Sequence, residues 1–232
     1  MIGIIGAMAI EIETLREQME DCTVQETAGI SFSRGKLHGV DCVAAYSSPG
    51  KVNAAACTQI MISQYQPSAV INTGVAGGIG DGIHVGDLVV SSAVVQHDID
   101  TTAVGDEIGL ISGINRVRIP ADDALTEAII QAAPAVYDGR IHSGIIATGD
   151  QFIADSQKLR WISDTFGALA CEMESGSIGQ VCFLNGIPFA AIRAISDNGN
   201  EDAGMTYAQF AEIAAHKSAE LLYRILPDLA AR

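Results

Sequence analysis

The sequence predicts an α/β protein of three layers, with helices covering both faces of a central sheet, folded as one domain over residues 1–232. Two observations lead there. Short apolar runs alternate with segments of helical periodicity along the chain, a pattern that buries a mostly parallel sheet on both faces. No linker, low-complexity tract, repeat or break in composition divides the chain, and 232 residues that are 48% hydrophobic suffice for a substantial core.

Met1 to Ala7, broken by Gly3 and Gly6, reads as a buried strand. Ile10 to Met19 follows as a helix, because Ile12, Leu15 and Met19 share a face while Glu11, Glu13 and Arg16 fall elsewhere. Ile30 to Lys36 and Asp41 to Tyr46 favour strands, and His38-Gly39 between them suits a hairpin turn. Ser47 to Gly50 punctuates the chain before an alanine-rich helix, Val52 to Tyr65. Ala69 to Asn72 is a strand, Gly74 to Gly86 a glycine-rich loop and Asp87 to Gln96 a longer strand. Asp98 to Ile119 lacks periodicity and is expected to be irregular. Helices at Asp122 to Ala133, Ser156 to Phe166 and Ser175 to Leu184 alternate with strands at Ile141 to Ala147, Leu169 to Glu172 and Pro188 to Ser196. The clearest helix is the last, where Tyr207, Phe210, Ala211, Ala214, Leu221, Leu222 and Ile225 form one stripe interrupted by Ser218.

Charge narrows the function. With 13 Lys and Arg against 28 Asp and Glu, the net charge is -15. Too few cations remain for a face that tracks nucleic-acid phosphates or docks on anionic membranes. The five cysteines (Cys22, Cys42, Cys57, Cys171, Cys182) are odd in number, scattered among aliphatic residues and without a C-x-x-C pair, so they read as small core residues. Met1 to Glu11 has no basic stretch ahead of its apolar run and does not read as a signal peptide. No apolar run approaches the roughly 18 residues of a membrane span. A reduced, cytoplasmic, soluble protein is expected.

Ligands of such sheets bind beyond the carboxyl ends of strands, and the unusual residues fall there. No spacing suits a metal cage or a nucleophilic triad, and the five histidines are dispersed; neither metal nor cofactor is expected. Gly74 to Gly78 leads into further glycines rather than a helix, so it is not a dinucleotide turn. Either it is a tight loop or its bare backbone meets a flat ligand. Glu172 ends an apolar stretch and needs a partner if buried. Glu174 either complements the N-terminus of the next helix or accepts two hydrogen bonds from a vicinal diol such as a ribose. Asp197 is either a turn residue or, in apolar surroundings that favour the neutral carboxyl, a proton donor near neutrality. Glu11 is either a solvated first-turn glutamate or a base that orients water. One carboxyl acting as acid and another as base is the pattern of glycosidic-bond hydrolysis.

Gly3-Ile4-Ile5-Gly6-Ala7-Met8 with Glu11, Asn72-Thr73-Gly74, Ala76-Gly77-Gly78, Val85-Gly86-Asp87, Gly149-Asp150, Glu172-Met173-Glu174 and Arg193-Ala194-Ile195-Ser196-Asp197 together resemble the 5'-methylthioadenosine/S-adenosylhomocysteine nucleosidases of the purine nucleoside phosphorylase superfamily. The resemblance runs end to end. It implies a three-layer α/β/α fold around a mixed, partly barrel-like sheet, a homodimer, and hydrolysis of 5'-thio-substituted adenosines, with 5'-deoxyadenosine a further substrate. It further implies that Asp197 protonates adenine at its seven-position nitrogen, that Ser196 supports it and that Glu11 activates the attacking water. Glu174 would bind the ribose hydroxyls with Met173 beneath the sugar. Phe152 would stack on adenine while the Ile153 backbone reads its edge, Met8 and Gly77 would complete the substrate site, and Arg193 and Glu172 would support it from behind. The sequence departs from the family pattern at Val75, where serine is common, at Pro49, at Tyr207 and around Val104, Asp106 and Ile108, where aromatics usually cover the 5' substituent from the partner subunit. These departures bear on the preferred 5' group. A phosphorylase on the same fold would need donors for phosphate; Arg34 and Lys51 are the possible contributors, they form no cluster, and Glu11 would repel the anion. A purine-binding module without turnover is disfavoured by the intact Glu11, Glu174 and Asp197.

Overall fold

The apolar first segment forms the expected strand β1 (Ile2–Gly6), followed by α1 (Ala9–Glu17), β2 (Glu20–Thr27), β3 (Ile30–Leu37), β4 (Val40–Tyr46), α2 (Lys51–Tyr65) and β5 (Ala69–Gly78). Then come β6 (Leu88–Gln96), β7 (Arg118–Pro120), α3 (Asp123–Ala132), β8 (Ile141–Thr148), α4 (Ser156–Phe166), β9 (Ala168–Glu172), α5 (Ser175–Asn185), β10 (Phe189–Asp197) and α6 (Tyr207–Ala230). This computed structural model describes residues 1–197 and 207–230. The side chain of Tyr207 lies outside the described residues.

Among the described residues all ten strands belong to one sheet, ordered β10-β6-β8-β9-β5-β1-β4-β3-β2, with β7 on β6. A further pairing of β10 with β5 closes β5, β10, β6, β8 and β9 into a five-stranded barrel. The expectation of a mostly parallel sheet is corrected. β1 with β4, β1 with β5, β10 with β5, β6 with β8 and β8 with β9 are parallel. The pairs β10–β6, β5–β9, β2–β3, β3–β4 and β6–β7 are antiparallel. The mixed, partly barrel-like sheet that the family resemblance implies is the one found.

Other differences have local causes. β2 escapes the sequence pattern because seven of its eight residues are exposed, which leaves no alternation of apolar and polar positions. It is the outer strand, and its register slips between Glu20 and Thr23. β5 runs on to Gly78 through residues expected in a loop, because β10 and β9 pair with this half and hold it extended. Cys22, on β2, is exposed, whereas Cys42, Cys57, Cys171 and Cys182 are buried as expected.

Alternating strand residues divide the core. Ile4, Ile71 and Ile192 face α1, α3 and α6, where Leu15, Ile129, Leu222 and Ile225 pack. Ile5, Val70 and Ala191 face the other way, onto Met61 of α2 and Ile178 and Cys182 of α5. Helix α5 lies close on the sheet because Gly179 is bare: a Cβ there would come within 2.7 Å of Val94 Cγ2. The last helix carries the predicted stripe, with Phe210, Ala214, Ser218, Leu221, Leu222 and Ile225 buried. Leu222→Ala should therefore lower the unfolding free energy by about 2–5 kcal/mol in denaturant titration; a loss below about 1 kcal/mol would show that α6 is not part of the cooperative core.

Candidate active site

Strand ends from both directions converge on one cavity. β5 and β9 run antiparallel with Gly77 beside Cys171, so the segment after β9 reaches the inner half of β5. β10 runs parallel to β5, and a bulge between Ile195 and Asp197 re-aims its last residue. The cavity, ≈ 230 Å³, is lined by Met8, Glu11, Pro49, residues 73–77, Phe152, Met173, Glu174, Arg193, Ser196 and Asp197 among others. A side pocket of ≈ 50 Å³ adjoins it and is lined by Phe152, Ile153, Met173 and Asp197. Phe152 stands at the rim, 75% exposed.

A buried ion pair forms the foundation. Arg193, 1% exposed on an apolar strand, donates from Nη2 to Glu172 Oε2 and to Asn72 Oδ1. Glu172 also accepts from the Thr148 hydroxyl, from the Ser175 hydroxyl at 2.9 Å and from the backbone N–H groups of Glu174 and Ser175 at 3.1 and 2.9 Å. Glu174 stands at the N-cap of α5, but it is the Glu172 side chain that accepts the N–H groups there. Burial alone would raise its pKa; the Arg193 guanidinium and these donors outweigh that and hold it below the usual carboxylate range. Asn72 completes the cluster, donating to the Ile5 carbonyl at 2.8 Å and accepting from Ser175 Oγ at 3.0 Å.

Three other carboxyls face the cavity in distinct settings. Glu11 is 3% exposed, not solvated; its Oε2 accepts from the N–H groups of Ala7 at 2.7 Å and Met8 at 2.9 Å. Burial raises its proton affinity, against the pull of those N–H groups and of Arg193. The bare backbone of Gly74 makes room for it, since a Cβ there would sit 2.9 Å from Glu11 Oε1. Glu174 is also buried and accepts from the Gly50 N–H at 2.9 Å. Burial first, and then the negative charge of Glu172, push it up to about 7. Asp197 is half-buried; its Oδ2 accepts from Ser196 Oγ at 3.1 Å, and Ser196 Oγ lies 3.2 Å from the Ala76 carbonyl.

Of the residues singled out in the sequence, Met8, Glu11, Gly77, Phe152, Met173, Glu174, Ser196 and Asp197 line this cavity, and Ile153 lines its side pocket. The departures separate: Pro49 and Val75 are lining residues, whereas residues 104–108 lie off the cavity. The sequence assigns no separate role to Thr148, Asn72 or Ser175, although polar residues at the ends of apolar runs are the available signal. The Gly50 N–H could not be foreseen, being a backbone donor set by a turn with φ 102°.

A family model for the phosphorylase superfamily matches residues 1–227. The 5'-methylthioadenosine/S-adenosylhomocysteine nucleosidase of Geobacillus kaustophilus (strain HTA426) is 45% identical over 97% of this chain and 95% of its own. The chain belongs to this nucleosidase family. The Neisseria meningitidis nucleosidase solved with methylthio-immucillin-A superposes with a TM-score of 0.91 at 37% identity, covering 98% of each chain. The Colwellia psychrerythraea nucleosidase solved with adenine gives a TM-score of 0.93 at 36% identity, over 100% of this chain and 96% of that one.

The setting of Glu174 has a thermodynamic consequence. Its folded pKa of about 7 lies above the usual 4.5, so the fold is weakened as pH rises through that window and the carboxyl ionises. Glu174→Gln keeps an acceptor for Gly50 without the charge. It should be more stable than the parent at pH 8, by about 1–3 kcal/mol in denaturant titration, and the gap should close as pH falls below the usual value of 4.5. A gap that does not change with pH would contradict this origin.

Proposed function

We propose that the protein hydrolyses the N-glycosidic bond of 5'-methylthioadenosine and S-adenosylhomocysteine, and of 5'-deoxyadenosine, to adenine and the corresponding sugar. The observation that carries the reading is the meeting of Glu11, Glu174 and Asp197 around one nucleoside-sized cavity. Each suits a different task. Asp197, hydrogen-bonded by Ser196 at the more open side, delivers a proton to the seven-position nitrogen of adenine, so that the base leaves neutral. Glu11, buried and with raised proton affinity, orients water and takes its proton as the C–O bond forms. Glu174, when ionised, accepts from the 2'- and 3'-hydroxyls, and its charge stabilises the cationic ribosyl transition state. Met173 lies beneath the sugar, Met8 and Gly77 border the site, Phe152 stacks on the base and the Ile153 backbone reads its edge.

Water rather than phosphate is the nucleophile in this reading. Arg193 lines the cavity but is engaged by Glu172. Lys51 is paired with Asp98, and Arg34 is exposed on β3; neither lines the cavity. A phosphate entering would meet carboxylates, with no free cation among the described lining residues to receive it. We further propose a cytoplasmic homodimer acting on a small-molecule adenosine thioether, without nucleic acid or membrane as partner. Among the described residues no helix is long and apolar enough to cross a membrane.

A product-resolved assay across adenosines varied at the 5' carbon, run with and without phosphate, tests the chemistry. Adenine and free thioribose should form at the same rate in both conditions; ribose 1-phosphate as product would reverse the assignment. Asp197→Asn should lose about 10²–10⁴-fold in kcat, the range of a positioned general acid, while still binding 5'-methylthioadenosine in equilibrium dialysis. Equal turnover by variant and parent would remove Asp197 from the acid role. Sedimentation should give twice the chain mass, and a monomer active at assay concentration would refute the dimer.

A further inference from the structure

Beside the Glu174 end of the cavity, three chain segments that are distant in sequence are tied into a ring of hydrogen bonds. Asp98, just past β6, uses both carboxylate oxygens: Oδ1 accepts from Lys51 Nζ at 2.6 Å and Oδ2 from the Asp150 backbone N–H at 2.9 Å. Asp150 closes the ring, its Oδ1 accepting from the Lys51 backbone N–H at 2.7 Å. The Lys51 and Asp98 side chains are only 17% and 16% exposed. Such a pair is better shielded than the exposed ion pairs whose contribution is near zero. Lys51 adjoins Gly50, whose N–H donates to Glu174 Oε1 at 2.9 Å. Asp150 begins the segment that carries Phe152 and Ile153. Packing is close at the junction, where a Cβ on Gly50 would lie 3.1 Å from Asp150 Oδ1.

We propose that Asp98 and Lys51 are positioning residues for the glycosidic reaction, a clamp that fixes the Gly50 N–H against the Glu174 carboxylate and holds the sugar-side and base-side loops in one register. Neither side chain lines the cavity, so the clamp acts through Glu174. Asp98 has the chemistry for this, since a carboxylate can serve a cationic and a backbone donor together, whereas an amide offers one acceptor oxygen. Loss of either charge releases the segment bearing Gly50, and the ribose hydroxyls then meet a carboxylate whose orientation is no longer fixed. The proposal rests on Glu174 gripping the ribose, and the test separates the two claims.

The experiment is a double-mutant cycle on the full chain, measuring kcat and KM for 5'-methylthioadenosine in the parent, Asp98→Asn, Glu174→Ala and the double variant. Asp98→Asn should raise KM about tenfold and lower kcat about three- to tenfold, because the loosened Glu174 both holds the sugar hydroxyls and stabilises the ribosyl cation. In the Glu174→Ala background the same change should move KM by less than about twofold. Lys51→Met should reproduce Asp98→Asn, Lys51→Arg should restore most of the lost affinity, and the Lys51 pair decides the matter if Asp98→Asn does not fold. An unchanged KM in Asp98→Asn, or the same tenfold rise with and without Glu174, overturns the clamp. A parent KM retained in Glu174→Ala instead overturns the ribose assignment, and with it the route through which the clamp acts.

Discussion

The buried pairing of Arg193 with Glu172 is the interaction on which the site depends. An arginine 1% exposed within an apolar strand is tolerable only with a compensating charge, and removing one partner of such a pair typically costs about 3–5 kcal/mol. Here the compensation does more than neutralise. Glu172 spends its remaining acceptor capacity on Thr148, Ser175 and the first N–H groups of α5, so one carboxylate ties β8, β9, β10 and α5 together. Asn72 extends the tie to β5 and β1. The segment bearing Met173 and Glu174 is thereby held between a strand end and a helix start that share a single acceptor.

The carboxyls around the cavity show how environment divides labour among identical groups. Glu172 is held ionised by a guanidinium and several donors, while Glu174, two residues away, is held closer to neutrality by burial and by that same Glu172 charge. Glu11 balances burial against two backbone donors at the N-terminus of α1. A raised pKa at Glu174 makes its charge responsive to its surroundings, since any further donor to its oxygens would favour the ionised form.

Much of this was legible in the sequence, for identifiable reasons. Strands such as Ile2–Gly6 and Phe189–Asp197 are buried along nearly all their length and read as mainly apolar segments, the first broken by glycines and the second by Arg193. The acids at their ends stand out for the same reason: Glu172 needed a partner, and Arg193 is it. What did not read through was whatever depends on pairing between distant segments. The direction of β9 against β5, and so the closed barrel, is a property of register rather than composition. The glycines of β5 looked like a loop because their extended form comes from neighbours on both sides. Glu11 offered two readings, solvated or functional, and its burial removes the first.

The outermost strand carries a consequence of its own. β2 closes no barrel and leaves one backbone edge open, a template on which another chain could add a strand. Its sequence works against that outcome: Glu20, Asp21 and Glu26 place acids along the rim, Asp21 turns the backbone to φ 54°, and the register slip beside it breaks the flat run of donors and acceptors. With a net charge of -15 on every copy, two such rims repel before they can align. The polar composition that hid β2 from sequence reading is thus a safeguard against runaway stacking into fibrils.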